Sequence, residues 1–188
     1  EHEFCIMGYG VINELTKYEK IKRTVRMRQN MDVFTVCPEY ETEHFKIRKL
    51  EAGDVEGLFP CYSDPEAARY FNGDCCGDDF YYTDKEKFRE CVEYWLSRYG
   101  ARDFVRWSVL DKETGLFIGT LEVCPSLKYA VDGKQMGILR IDLKSEYERW
   151  PVLRELMDVL ICHIYEDLEV ASIIMKIQKD AGERQKLI

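Results

Sequence analysis

The chain has 188 residues, 46% of them hydrophobic and 13% aromatic, which is enough apolar material for one well-buried domain and too much for a disordered chain. A formal charge of −8 argues against a nucleic-acid partner, and no apolar run spans a bilayer or reads as an N-terminal signal, so no membrane is expected either. The eight cysteines are scattered with no C-x-x-C pair, and His2, His44 and His163 lie far apart, so the expectation is reduced thiols in a cytoplasm and no metal site.

Residues 4–12 (FCIMGYGVI) are an apolar knot in a mostly polar start. Beyond it two patterns coexist. Val11, Leu15, Tyr18, Ile21 and Val25 fit one amphipathic helix, whereas Ile21, Thr24, Val25 and Met27 set against Arg23, Arg26 and Arg28 suit a strand. The basic run from Lys17 to Arg28 reads as a solvated face rather than an anion patch. Residues 33–37 (VFTVC) and 45–50 (FKIRKL) read as strands, the second alternating Phe45 and Ile47 with Lys46 and Arg48. A helix opens at Ala52 with Val55, Leu58, Phe59 and Tyr62 on one face. Asp64 can cap and Pro65 begin a short helix reaching Phe71. Residues 72–83 (NGDCCGDDFYYT) make a loop rich in Gly and Asp, and residues 85–99 a helix striped by Phe88, Cys91, Val92, Trp95 and Tyr99.

Two strands follow, 104–111 and 116–123, joined by Lys112, Glu113, Thr114 and Gly115, a hairpin turn by length and composition. Residues 125–135 read as a loop leading into strand 137–143 (GILRIDL), where Leu139, Ile141 and Leu143 alternate with Ile138, Arg140 and Asp142. Residues 144–150 carry no period. Pro151 marks the start of a long helix through Leu168, apolar on more than one side. Residues 170–178 are a strand, and 179–188 (KDAGERQKLI) open a last helix. From Glu41 the order is thus β-α-α-β-β-β-α-β-α, a meander followed by a β-α-β unit. It predicts an α/β (mixed α+β) fold, one domain over residues 1–188, with a mixed sheet and helices on both faces. Strand, short loop and helix start between 137 and 168 form a generic anion cradle, because unpaired amides and the helix dipole face the ligand.

These words resemble the Gcn5-related N-acetyltransferase (GNAT) superfamily, and within it the ribosomal-protein (Rim-type) branch. PEYETEHFKIRKL (38–50) is similar to that branch's P-x-x-E-T-E-R-L-x-L-R, and LFPCYSDPEAARYF (58–71) to its L-x-x-L-x-S-D-P-E-V-x-R-Y. WSVLDKETGLFIGTLEV (107–123) looks like its central hairpin, ending in I-G-x-I/L. The resemblance covers residues 31–180. It implies the acyl-CoA N-acyltransferase fold, a mostly antiparallel sheet of about six or seven strands. It further implies that acetyl-CoA binds where the fourth and fifth family strands splay apart, and that its acetyl group passes directly to a primary amine. A catalytically impaired binding protein using the same cleft for a ligand or partner is the alternative, and a homodimer is compatible with either.

The resemblance also assigns residues. Cofactor contacts fall on the backbone near Ile141 and Leu143 and on Arg149, Trp150, Pro151 and Val152. The family's phosphate motif, Q/R-x-x-G-x-G/A, has Glu146, Arg149 and Pro151 at its three defining positions. Arginine and proline replace glycines that let a backbone approach phosphates, although the forked donors of Arg149 could pair with one. The catalytic base falls to Glu122, and acceptor binding to Tyr70, Asp78, Asp79 and Tyr81, in and beside an acidic loop suited to a cationic amine. The family tail reads as helix, G-F or G-Y, then an antiparallel strand pair. Here M-G-Y-G-V-I-N-E and K-I-K-R-T-V-R-M-R, within residues 1–30, look like that tail. They are expected to supply the sixth and seventh strands, near 9–16 and 21–28, beside 170–178. A permuted order, a swapped tail or an ordering artefact would each give this pattern.

Overall fold

In the computed structural model, which describes residues 2–8, 32–71, 80–131 and 133–187, one sheet is built from β1 (His2–Gly8), β2 (Tyr40–Glu41), β3 (Phe45–Lys49), β4 (Val105–Asp111), β5 (Phe117–Val131), β6 (Lys134–Leu143) and β7 (Ser172–Gln178). The helices are α1 (Val55–Tyr62), α2 (Pro65–Ala68), α3 (Lys85–Gly100), α4 (Trp150–Asp167) and α5 (Gly182–Gln185). Spatial order in the sheet is β1-β7-β6-β5-β4-β3-β2. Every neighbouring pair is antiparallel except β6 and β7, the two strands that α4 connects.

The two sheet faces differ in chemistry because the period of two sorts each strand. Trp107 and Val109 of β4, Leu121 and Val123 of β5, and Leu139, Ile141 and Leu143 of β6 pack with Leu153, Leu156, Met157, Leu160 and Ile164 of α4. The indole of Trp107, fully buried, donates to the Pro38 carbonyl at 2.8 Å. The opposite face carries Arg106, Ser108, Thr120, Glu122, Arg140 and Asp142, all buried. Helices α1 and α3 close over it with Leu58, Tyr62, Phe88, Val92 and Trp95. Local signals act as expected: Asp64 and Asp84 cap α2 and α3 by accepting from Glu66 N and Glu86 N, each at 2.9 Å. The β4–β5 turn closes with Gly115 at φ +69 and with the Asp111 carboxylate accepting from the amides of Glu113 and Thr114.

Two expected elements are corrected. Residues 33–36 are turns rather than a strand, because the Asp32 carboxylate accepts from Phe34 N at 3.3 Å and Thr35 Oγ1 at 3.0 Å and holds the chain in a local loop. Residues 125–135 are not a connecting loop. The strand β5 runs through Pro125 to Val131, where Val131 faces Lys134 across a tight turn. Pro125 is tolerated there because pairing with β4 ends at Val105↔Val123, so the missing amide has no ladder bond to make on that side. The strands expected near 9–16 and 21–28 lie outside the described residues. The strand found beside β7 is β1, antiparallel from His2↔Gln178 to Gly8↔Ser172.

One tie between the sheet edge and α4 titrates. Glu155 accepts from His44 N at 2.9 Å and faces His44 Nδ1 at 2.9 Å. That hydrogen bond, followed by the Glu155 charge, raises the imidazole above its ordinary value of 6.5. A raised histidine stabilises the fold fully below 6.5 and loses that contribution as pH climbs through the folded-state value. Urea midpoints are therefore expected to decline slightly with pH above 6.5, and His44→Gln to flatten that slope. An NMR titration placing His44 at or below 6.5 would contradict it.

Candidate functional site

The parallel ladder between β6 and β7 is short. It runs only from Met136↔Ser172 to Leu139↔Met175, so 140–143 on β6 and 176–178 on β7 continue without pairing to each other. The strands part there, directly before the loop and helix start that the sequence marks as an anion cradle. The loop is held firmly. Lys144 N donates to Ile118 O at 2.8 Å, Tyr147 Oη to Asp111 Oδ2 at 3.0 Å, and Ser145 gives Asp64 both its amide (3.2 Å) and its hydroxyl (2.5 Å). Burial lifts the Asp64 carboxyl, but the Ser145 and backbone donors outweigh it and leave the group below its ordinary value. A shallow groove of about 430 Å³ lies along this tie, lined by Pro60, Ser63, Asp64, Lys144, Ser145 and Glu146.

At the start of α4 two of the amides are already engaged. Arg149 N donates to Tyr147 O at 2.7 Å, Trp150 N to Glu183 Oε2 at 2.7 Å, and Pro151 has none to give. Glu146 and Arg149 are exposed, Val152 is buried in the α4 core, and the Trp150 indole donates to Lys186 O at 3.2 Å. The side chains of Ile141 and Leu143 point into the α4 core. The Ile141 carbonyl, beyond the last β7 pair, accepts from Arg184 Nη2 at 2.7 Å. Arg184 is 3% exposed. Its Nε donates to Glu148 Oε2 at 3.0 Å, Nη2 donates to Glu148 Oε1, and Nη1 reaches Tyr70 O at 3.1 Å. Glu183 and Arg184 thus bring α5 onto positions where the family resemblance implies cofactor contacts.

Glu122 sits on the other face, 4% exposed. Its Oε2 accepts from Arg106 Nε (2.9 Å) and Nη2 (2.6 Å), and Arg140 Nη1 lies 3.6 Å from its Oε1. Arg106 Nη1 also donates to Tyr62 Oη, Thr120 Oγ1 and Asp142 Oδ2 at 2.8–3.1 Å, and its guanidinium lies 3.8 Å from the Trp95 ring centroid. The carboxylate is enclosed in an ion-pair layer rather than standing at an open strand end. Burial, then the Asp142 charge, push the Tyr62 phenol well above its ordinary value, so it remains a hydrogen donor to Asp142. Arg140 and Asp142 share this face, as their alternation predicts, with Nη2 and Oδ2 3.8 Å apart.

Of the expected acceptor residues, Tyr70 is half-buried, with the Arg69 and Arg184 guanidiniums 5.1 and 5.7 Å from its ring centroid, and Tyr81 is exposed. Asp78 and Asp79 lie outside the described residues. Among the described residues no group of His, Cys, Asp and Glu could hold a metal ion, and no helix is long and apolar enough to cross a membrane. Residues that the sequence pattern does not single out, Arg106, Glu148, Glu183 and Arg184, turn out to occupy the centre of both networks. Arg106 alone carries a signal, as a charge in the middle of the apolar strand FVRWSVLD.

A search by sequence finds no match among curated proteins. Among solved structures, a ribosomal-protein-S5-alanine acetyltransferase from Vibrio fischeri is similar at 15% identity and TM-score 0.60, covering 78% of this chain and 79% of that one. RimL, a ribosomal L7/L12 alpha-N-protein acetyltransferase solved in complex with coenzyme A, is similar at 10% identity and TM-score 0.64, covering 80% of each chain. A GNAT-family acetyltransferase from Bacillus anthracis is similar at 15% identity and TM-score 0.58, covering 79% of each. At such identities these likenesses establish the fold. The sequence profile of the acetyltransferase (GNAT) domain matches residues 44–187, most of the chain and every element from β3 to α5, and the chain therefore belongs to the GNAT acetyltransferase family.

Proposed function

We propose that the protein is an N-acetyltransferase that takes its acetyl group from acetyl-CoA and passes it directly to a primary amine. The observation that carries this reading is the opening beyond Leu139 and Met175, with the start of α4 behind it, in a chain of this family. Backbone groups of β6 that β7 does not pair suit a ligand chain that carries amides, and a helix start suits the anion at its end. Acetyl-CoA would supply the activated thioester. Tyr70 and Tyr81, with Asp78 and Asp79, are the proposed acceptor-side residues, and Glu122 is the proposed base. A cytoplasmic setting belongs to this reading, on the scattered spacing of the eight cysteines in the sequence.

In the conformation seen, the residues present do not fit the cofactor: Glu183 lies on the α4 amide, Arg184 takes the Ile141 carbonyl, and Glu122 is paired with Arg106. That same observation favours a second reading, a binding protein of this fold without turnover. Calorimetric titration with acetyl-CoA, combined with thiol release over a panel of polyamines and peptide N-termini, separates the two. Saturable binding with amine-dependent release of CoA is expected. Binding without release on any amine would favour the second reading, and absence of binding at about millimolar cofactor would remove the first.

A further inference from the structure

The helix α5 is short and polar, flanked by Ala181, which is buried in the main core, and Leu187, which packs against that core. Its contacts are specific. Glu183 accepts the first amide of α4 with one oxygen and pairs with Lys186 through the other. Both contacts hold its carboxyl below the ordinary carboxylate value, Lys186 contributing most. Arg184 spends four donations, two on buried Glu148, one on Ile141 O and one on Tyr70 O. The Trp150 indole reaches across to Lys186 O, and Gln185 Nε2 donates to Lys179 O at 2.9 Å, which fixes the turn leading into α5. The helix therefore satisfies two kinds of group that a long anionic ligand carrying amides would use. A carboxylate stands on the helix start, and a guanidinium hydrogen-bonds the open strand edge.

We infer that α5 is an internal occupant of the cleft between β6 and β7, so that acyl-CoA enters only as Glu183 leaves the α4 N-terminus and Arg184 releases Ile141. This rests on the acetyl-CoA reading above and adds to it a competition between the ligand and the chain's own helix. A ligand that binds only the open form shows an affinity reduced by the fraction of molecules that are open. Glu183 is the residue to test, because its side chain is 41% exposed and its loss leaves no buried charge behind. Arg184 is not, because its removal strands Glu148.

The experiment measures CoA affinity by calorimetry and amide exchange of residues 179–187 in the wild type, Glu183→Gln and Glu183→Ala. Both variants are expected to bind CoA roughly two- to fivefold more tightly, since each removes the charge from the helix start and Glu183→Ala removes the hydrogen bond as well. Exchange over 179–187 is expected to speed up when CoA is added to the wild type, and to be faster already in Glu183→Ala without it. Equal affinity in all three forms, with exchange unaltered by CoA, would overturn the competition and leave the acetyl-CoA reading standing. Failure of every form to bind CoA at about millimolar concentration would overturn both. Binding confined to the variants would support the competition in its strongest form.

Discussion

Arg106→Ala is expected to lower the free energy of unfolding by about 3–5 kcal/mol, the cost of removing one partner from a buried ion pair. Arg106, Glu122 and Asp142 are 3%, 4% and 1% exposed, so neither carboxylate can turn to water once the guanidinium is gone. Arg140 is a poor substitute: its nitrogens lie 3.6 and 3.8 Å from Glu122 and Asp142, against 2.6 and 3.1 Å for Arg106. The lost group also leaves the Trp95 ring without its cation and takes one donor from each of Thr120 and Tyr62. Urea unfolding measures the effect. The companion variant Arg106→Met/Glu122→Met should cost less than Arg106→Ala alone, because it removes a charge of each sign and leaves a compact apolar pair under α3. A single variant with an unchanged midpoint would mean that the layer is solvated in solution. The cycle also bears on Glu122, since a carboxylate locked by two N–H donors accepts a proton from substrate only after that lock opens.

How much of this was legible in the chain differs by element. The helical stripes of α3 and α4 and the β4–β5 hairpin follow from spacing alone, because burial on one side imposes the period locally. The polar alternation of Arg140 and Asp142 is likewise visible in 137–143. That Arg106 and Glu122 complete it was not visible, since those residues meet through the register Arg106↔Glu122 and Glu122↔Arg140, a product of sheet assembly. Residues 33–37 mislead because apolar content mimics a strand while one aspartate side chain diverts the backbone. Residues 125–135 mislead because Pro125 resembles a strand end, whereas the true turn comes at Gly133, at φ +75 between the paired Val131 and Lys134. The occupancy of the cleft was out of reach. Arg184 and Glu183 make contacts 36 and 33 residues away through ordinary-looking surface residues of a polar tail.

The glycine of the I-G-T word gives the other large effect: Gly119→Ala is expected to cost roughly 2–6 kcal/mol, strain and overpacking together. Gly119 has φ +154, and a Cβ there would stand 1.9 Å from Asp142 O and 2.8 Å from Leu143 Cα. Those are backbone atoms of β6 and cannot turn aside as a side chain would. Relief requires β5 and β6 to part at Gly119↔Leu143, on the stretch of β6 that has no β7 partner to brace it. The bond from Lys144 N to Ile118 O spans the same point, so the loop before α4 moves with it. Gly137→Ala is the control, because its Cβ meets the side chains of Ile173 at 2.8 Å and Val123 at 3.1 Å, which can repack, at about 1–3 kcal/mol. The expected order in urea is therefore Gly119→Ala well below Gly137→Ala. A reversed order would show that β6 yields more readily than its side-chain neighbours, and the family's glycine would then owe its place to something other than the close approach of two strands.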